Sequence, residues 1–207
     1  NTTDGGIGKH TGTLENIEET IQLTGEPGEP EINNSGNVLN TNTLERLYNY
    51  YKDERLKSDI ITADGGFNID HTEKQFEEIK LSKLYFGEII TALFAQKIGG
   101  IFILKINGLF YEITKQLLYL LSTFYESIEI VKPYTSKVYN NEKYVKCFNF
   151  VGLGTDEEAE AFKTNVLKIL DNWNRKDFKV PENPEDIEVP KLSFSETDTY
   201  ISFKSNI

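Results

Sequence analysis

Two stretches decide the fold: Asp59-Ile-Ile-Thr-Ala-Asp-Gly-Gly66 and Gly99-Gly-Ile-Phe-Ile-Leu-Lys-Ile106. The first is a short β-type run, Asp59 to Asp64, stopped by Gly65-Gly66. The second contains a continuous apolar run from Ile101, the pattern of a strand buried on both faces. Between them Phe76, Ile79, Leu81, Leu84, Ile89, Ala92 and Leu93 recur at helical spacing, which predicts a helix from about Thr72 to Lys97 with Gly99-Gly100 as its end. A strand, a crossing helix and a second strand make the unit of a parallel sheet.

Working outward, a second helix is expected over about Phe110 to Tyr125 and a strand over Ser127 to Lys132. The polar loop from Pro133 to Glu142 leads to a strand at Lys143-Tyr-Val-Lys-Cys-Phe-Asn-Phe150, and so short a connection lets these two strands pair antiparallel. Asp156 to about Asn172 reads as a further helix. Upstream, Thr43 is expected to cap a helix from Leu44 to about Leu56, with Leu44, Leu47 and Tyr51 on one face. Residues 1–40 are rich in Gly, Asn, Thr, Glu and Pro and read as a loop, with a short helix at Leu14 to Leu23. Alternation of this kind predicts an α/β fold, a sheet with helices on both faces. Three regions are expected: an N-terminal segment over 1–57 with an acidic loop and one helix, a core over 58–172 and an acidic arm over 173–207.

Composition narrows the function. The chain has 207 residues, 22 Lys and Arg against 33 Asp and Glu, and a net charge of −11. The acidity lies in the flanks; residues 59–150 hold 10 basic and 11 acidic side chains. A broad basic face for duplex nucleic acid is therefore not expected, while a narrow groove for a few nucleotides stays open. One cysteine, Cys147, excludes a disulfide framework. The two histidines, His10 and His71, are far apart, so no metal centre is expected. No apolar run reaches the length of a membrane span, and no basic-then-apolar leader opens the chain, so a cytoplasmic location is expected. The chain has no methionine and starts at Asn1, so it is expected to be a piece of a longer protein or a processed product. Gly5-Gly-Ile-Gly-Lys-His-Thr-Gly12 is not a phosphate-binding P-loop: position 3 is Thr where a glycine is needed, and His10 stands where Ser or Thr should follow the lysine.

Ligands of α/β sheets sit beyond the carboxyl ends of the parallel strands. The polar residues there are Asp64, Lys105 and Lys132. Asp64 precedes two glycines that let backbone approach a ligand closely, though a turn aspartate looks the same. Lys105 in an apolar strand is expected to have a lowered pKa and so to be a potential base; a lysine snorkelling to the surface is the plainer reading. Glu142 opens the last strand and by itself reads as an exposed strand-start residue. Lys132, Ser136 and Lys137 lie in a loop of lysines, tyrosines and hydroxyls that suits contact with phosphate and bases, and that is also an ordinary polar hairpin loop.

Thr62-Ala-Asp-Gly-Gly-Phe67, Gly99-Gly-Ile-Phe-Ile-Leu-Lys105, Lys132-Pro-Tyr-Thr-Ser-Lys137 and Asn141-Glu-Lys-Tyr-Val-Lys-Cys147 occur in the order and spacing that resembles FtsJ-like ribose 2′-O-methyltransferases. The likeness is to the mRNA cap-modifying branch, of the type carried by large DNA viruses. It covers about residues 58–150 and reaches weakly back to Gly12-Thr-Leu-Glu-Asn-Ile17. The resemblance implies a Rossmann-like methyltransferase sheet that lacks its N-terminal strands in this chain, with S-adenosyl-L-methionine as cofactor. It implies a Lys-Asp-Lys-Glu tetrad of which Asp64, Lys105 and Glu142 are the catalytic members present, Lys105 as base and the carboxylates orienting. It also implies cofactor contacts at Asp64, Gly65, Gly66 and Phe67, and RNA contacts at Lys132, Ser136 and Lys137. The first tetrad lysine and the cofactor glycine motif are not found in the chain. Lys137 stands where the family often has Arg, which weakens a bidentate phosphate contact.

The expected function is methylation of the ribose 2′-hydroxyl at the cap-proximal nucleotide of an mRNA 5′ end, with other capping-enzyme subunits as further partners and without metal. The alternative is a catalytically inactive scaffold or RNA- and protein-binding subunit of a capping complex, which the acidic flanks fit. A methyltransferase for small molecules on the same fold is a third reading.

Overall fold

The computed structural model describes residues 36–175. The expected helix at Leu14 to Leu23, the match at Gly12 to Ile17 and the arm from Asp177 lie outside the described residues. Within them the order is α1 (Thr41–Tyr50), β1 (Ser58–Ala63), α2 (Glu77–Ala95), β2 (Gln96–Ile106), α3 (Glu112–Phe124), β3 (Tyr125–Val131), β4 (Lys143–Phe150) and α4 (Asp156–Arg175). The strands form one sheet in the order β1-β2-β4-β3. β1 and β2 are parallel, and β4 is antiparallel to both of its neighbours, as the short 133–142 connection implies.

Several boundaries differ from the sequence expectation, each for a local reason. The cap of α1 is Asn40, whose side chain accepts from the Asn42 N–H at 2.9 Å. Thr43 is buried inside the helix. The helix stops at Tyr50, and Asp53 caps a separate 3-10 turn over Glu54–Leu56 by accepting from Arg55 N–H. Another 3-10 turn, His71–Phe76, is capped by Asp70 and leads into α2.

Gly99-Gly100 does not end α2; β2 begins directly after the helix, at Gln96. The Gln96 amide is fully buried and donates to the Ser58 and Asp59 carbonyls at 2.9 and 3.2 Å, while Tyr125 Oη donates to its oxygen at 3.3 Å. The glycines instead serve an irregularity in the strand. The β1–β2 register jumps between Ser58↔Gln96 and Ile60↔Ile101, and Gly99 takes φ +81° to pass it.

The continuous apolar run of β2 is not buried on both faces among the described residues. Phe102, Leu104 and Ile106 point into the core with Val145 and Cys147 of β4, all at most 1% exposed. This set joins Ile89, Leu93, Ile113, Leu117 and Leu121 of α2 and α3 in one cluster. The alternate residues Ile101, Ile103, Lys105, Tyr144 and Lys146 are only partly covered, and Ile60 of β1 is exposed. The described helices thus gather on one side of the sheet, and Lys105 belongs to the other. α1 and α4 close over α2: Trp173 lies against Phe86, and Asn174 donates to the Leu39 carbonyl at 2.8 Å.

α3 lacks a capping side chain of its own and borrows one. Glu78 of α2, buried, accepts from the Phe110 and Tyr111 N–H groups at 3.0 Å each and from Thr114 Oγ1 at 2.6 Å. An isolated buried carboxylate is costly; here three donors and a helix N-terminus offset the cost. Glu78→Ala strands those donors and is expected to cost roughly 2–4 kcal/mol in urea unfolding.

Candidate functional site

The site stands on the carboxyl ends of the two parallel strands. Ala63 pairs with Leu104, so the next residue of each strand, Asp64 and Lys105, lie side by side. Lys105 leaves β2 on the open face, which is why an ammonium is tolerated in an apolar run; its side chain is 24% exposed. It forms an ion pair with the Asp64 carboxylate.

On its other side, Lys105 faces Tyr144 across the β2–β4 ladder. Tyr144 Oη donates to Glu142 Oε1 at 3.3 Å, and Ser136 Oγ donates to the same oxygen at 3.2 Å. Asp64, Lys105 and Glu142 are thereby brought to one rim, from β1, β2 and the approach to β4. Burial pulls the Lys105 pKa down, but the Asp64 hydrogen bond and charge, with the Glu142 charge behind them, outweigh it and hold the pKa above its ordinary value. The lowered pKa expected from the sequence is therefore corrected: without ligand, Lys105 is an ammonium.

The loop that carries Glu142 is braced from within. Lys132 Nζ donates to the Asn140 carbonyl at 2.9 Å, to Asn140 Oδ1 at 2.7 Å and to the Glu142 carbonyl at 3.1 Å. Lys132 is thus turned into its own loop, with Ser136 beside it. Lys137 lies over the Tyr139 ring, and Tyr134, Val138 and Tyr139 stand out into solvent. This rim of aromatic and basic groups has the chemistry of a surface for stacked bases and phosphate.

The turn after Asp64 is shaped from below. Gly65 N–H donates to Glu88 Oε1 of α2 at 2.6 Å. A Cβ at Gly65 would sit 2.5 Å from that oxygen, so a side chain there would push the Glu88 carboxylate aside. A Cβ at Gly66 would meet nothing within 4 Å, and Phe67 is exposed beside it. A ligand could lie against the bare backbone at Gly66 and the Phe67 ring, so the loop fits a nucleoside-bearing cofactor. No group of His, Cys, Asp and Glu that could hold a metal occurs among the described residues, and no described helix is long and apolar enough to cross a membrane.

Two residues of this region escaped the sequence reading. Tyr144 becomes visible only when the strand register is known. Glu88 left a signal: it falls one turn after Leu84 on the buried stripe of α2, where an apolar residue belongs.

Residues 13–150 match the model of a family described as FtsJ-like methyltransferase. Among curated relatives, the chain is 36% identical over 121 residues to cap-specific mRNA (nucleoside-2′-O-)-methyltransferase 1 of Trypanosoma cruzi, covering 58% of this chain and 33% of the relative. It is 33% identical over 141 residues to African swine fever virus "Probable methyltransferase EP424R", covering 68% and 32%. A Dictyostelium discoideum protein with the Trypanosoma protein's name is 30% identical over 122 residues, 58% of this chain and 16% of that one. The chain thus spans a third or less of the length of these relatives.

Asp64→Asn removes the partner that raises the Lys105 pKa and leaves burial to lower it. The side-chain carbon signal of Lys105, followed by NMR against pH, should show its midpoint fall below the wild-type value.

Proposed function

Since the chain belongs to the FtsJ-like methyltransferase family, we propose that it carries the reacting rim of an S-adenosylmethionine-dependent RNA ribose 2′-O-methyltransferase acting on the cap-proximal nucleotide of mRNA. The observation that carries this reading is the placement of Lys105 between the Asp64 carboxylate and the charge of Glu142 at the ends of the parallel strands. The substrate class is supported by the Trypanosoma cruzi and Dictyostelium discoideum relatives, both cap-specific mRNA (nucleoside-2′-O-)-methyltransferases by name.

A ribose hydroxyl is a weak nucleophile. It must be aligned with an electrophilic methyl group and must lose its proton as the new carbon–oxygen bond forms. The cofactor supplies that methyl on a sulfonium. Gly66 and Phe67 offer it bare backbone and a ring, and Asp64 offers a carboxylate; Gly65 keeps its N–H for Glu88. The Lys105 ammonium first orients the ribose oxygen by donating to it. To take the oxygen's proton Lys105 must be neutral. Part of the means is in the site: once Asp64 turns from Nζ to a ligand, its hydrogen bond and charge no longer raise the pKa, and burial, the largest single influence, works against only the weaker charges that remain, Glu142 foremost. Glu142, fixed by Tyr144 and Ser136, steadies the lysine and the ribose. Lys137 with Tyr134 and Tyr139 would hold the RNA strand, and Lys132 keeps their loop in shape.

Lys105→Met keeps the length of the side chain and removes the amine. It is expected to lower transfer of labelled methyl to capped RNA about 10²–10⁴-fold with an unchanged circular dichroism spectrum. Full activity in that variant eliminates Lys105 as base. Calorimetry of the wild-type chain with S-adenosylmethionine separates this reading from the inactive scaffold, which would bind none.

A further inference from the structure

Beneath the rim lies a carboxylate that the mechanism above does not use. Glu88 is 9% exposed and comes from the middle of α2. Its Oε1 accepts the Gly65 N–H at 2.6 Å, the peptide group that joins Gly65 to Asp64. Its Oε2 is buried and has no hydrogen-bond partner among the described residues. A side chain at Gly65 would have to push the Glu88 carboxylate aside. A core position on a helix would ordinarily hold Leu or Ile; a carboxyl with one oxygen unsatisfied is an expensive substitute. What it does in return is hold one backbone N–H of the turn after β1.

We infer that Glu88 is a positioning residue of the site: from inside the fold it anchors the Asp64–Gly65 peptide, and so sets where the Asp64 carboxylate stands against the Lys105 ammonium. This rests on the methyltransferase reading for its function but not for its geometry. The groups that face Glu88 are Asp64 from the β1 turn, Lys105 from β2 and Tyr85 on α2 itself. Burial pushes the Glu88 carboxyl up to about 7; the Asp64 charge adds to the rise, while the Gly65 bond and the Lys105 charge oppose it. The anchor therefore changes charge in the neutral range. Ionised, Glu88 accepts the Gly65 N–H strongly; protonated, it holds it less firmly.

The test uses the full 207-residue chain and three proteins: wild type, Glu88→Gln and Glu88→Leu. In ¹H–¹⁵N spectra the wild-type Gly65 amide should titrate with a midpoint near 7, and the Gln variant, which keeps an acceptor but cannot ionise, should not titrate. The Leu variant suits the core and removes the acceptor. It should remain folded and lose about tenfold to a hundredfold in kcat for methyl transfer with KM for RNA little changed, and the Gln variant should recover most of that loss. A Gly65 amide indifferent to pH and to both substitutions overturns the proposal, as does a folded Leu variant with wild-type kcat. If the wild type transfers no methyl to RNA, the functional reading fails and the anchor is judged on Lys105 alone. A Lys105 titration midpoint that moves further in Glu88→Leu than in Glu88→Gln, which loses the same charge but keeps the acceptor, upholds the anchor, and equal midpoints in the two variants overturn it.

Discussion

The pairing of β1 with β2 is the constraint on which the rest depends. Nothing in the side chains of Asp64 and Lys105 finds the other from afar; two backbones in parallel register deliver them side by side. That register is pinned at its start by the Gln96 amide, which spans from the Ser58 and Asp59 carbonyls to the Tyr125 hydroxyl inside the fold. Side chains alternate between the faces of a strand, so a slip of one residue would send Lys105 into the helix-covered side and turn Leu104 outward. The hydrophobic core forbids this, because Phe102, Leu104 and Ile106 fit against α2 and α3. Packing and chemistry are thus set by one alignment, the first holding the second in place.

The strand–helix–strand unit and the antiparallel β3–β4 pair were legible because their signals are local: apolar periodicity in α2, two glycines after Asp64, a loop too short to cross the sheet. The gathering of Asp64, Lys105 and Glu142 was legible only as strand ends in order. The failures share a cause. The start of β2 at Gln96 was hidden because glycines that serve a strand irregularity look the same as glycines that end a helix. The sidedness of β2 was hidden because Ile101 and Ile103, half-covered, read the same as Phe102 and Leu104, which are enclosed.

The Lys105 charge state shows the same limit at the level of a single proton. Its apolar neighbours in sequence argue for a depressed pKa, and burial does act in that direction. The decisive neighbours are Asp64, forty-one positions earlier, and Glu142, thirty-seven later, distances in the chain that only the fold collapses. Tyr144 and Glu88 are further cases. One is a cross-strand partner and the other a carboxyl beneath the floor, and the contacts that give them meaning come from other elements. Residues near the chemistry thus answer to two demands, packing on one side and polarity on the other, and a pattern that records only hydrophobicity sees the first.

The single thiol, Cys147, sits on β4 between its two neighbours, fully enclosed, and burial pushes it up to about 12. Enclosed and protonated, it is shielded from alkylating reagents while the central strands stay together. The chain therefore carries a built-in clock: the rate at which a thiol-reactive dye labels it reports how often the middle of the sheet comes apart, with no probe to be engineered and no other cysteine to confuse the reading.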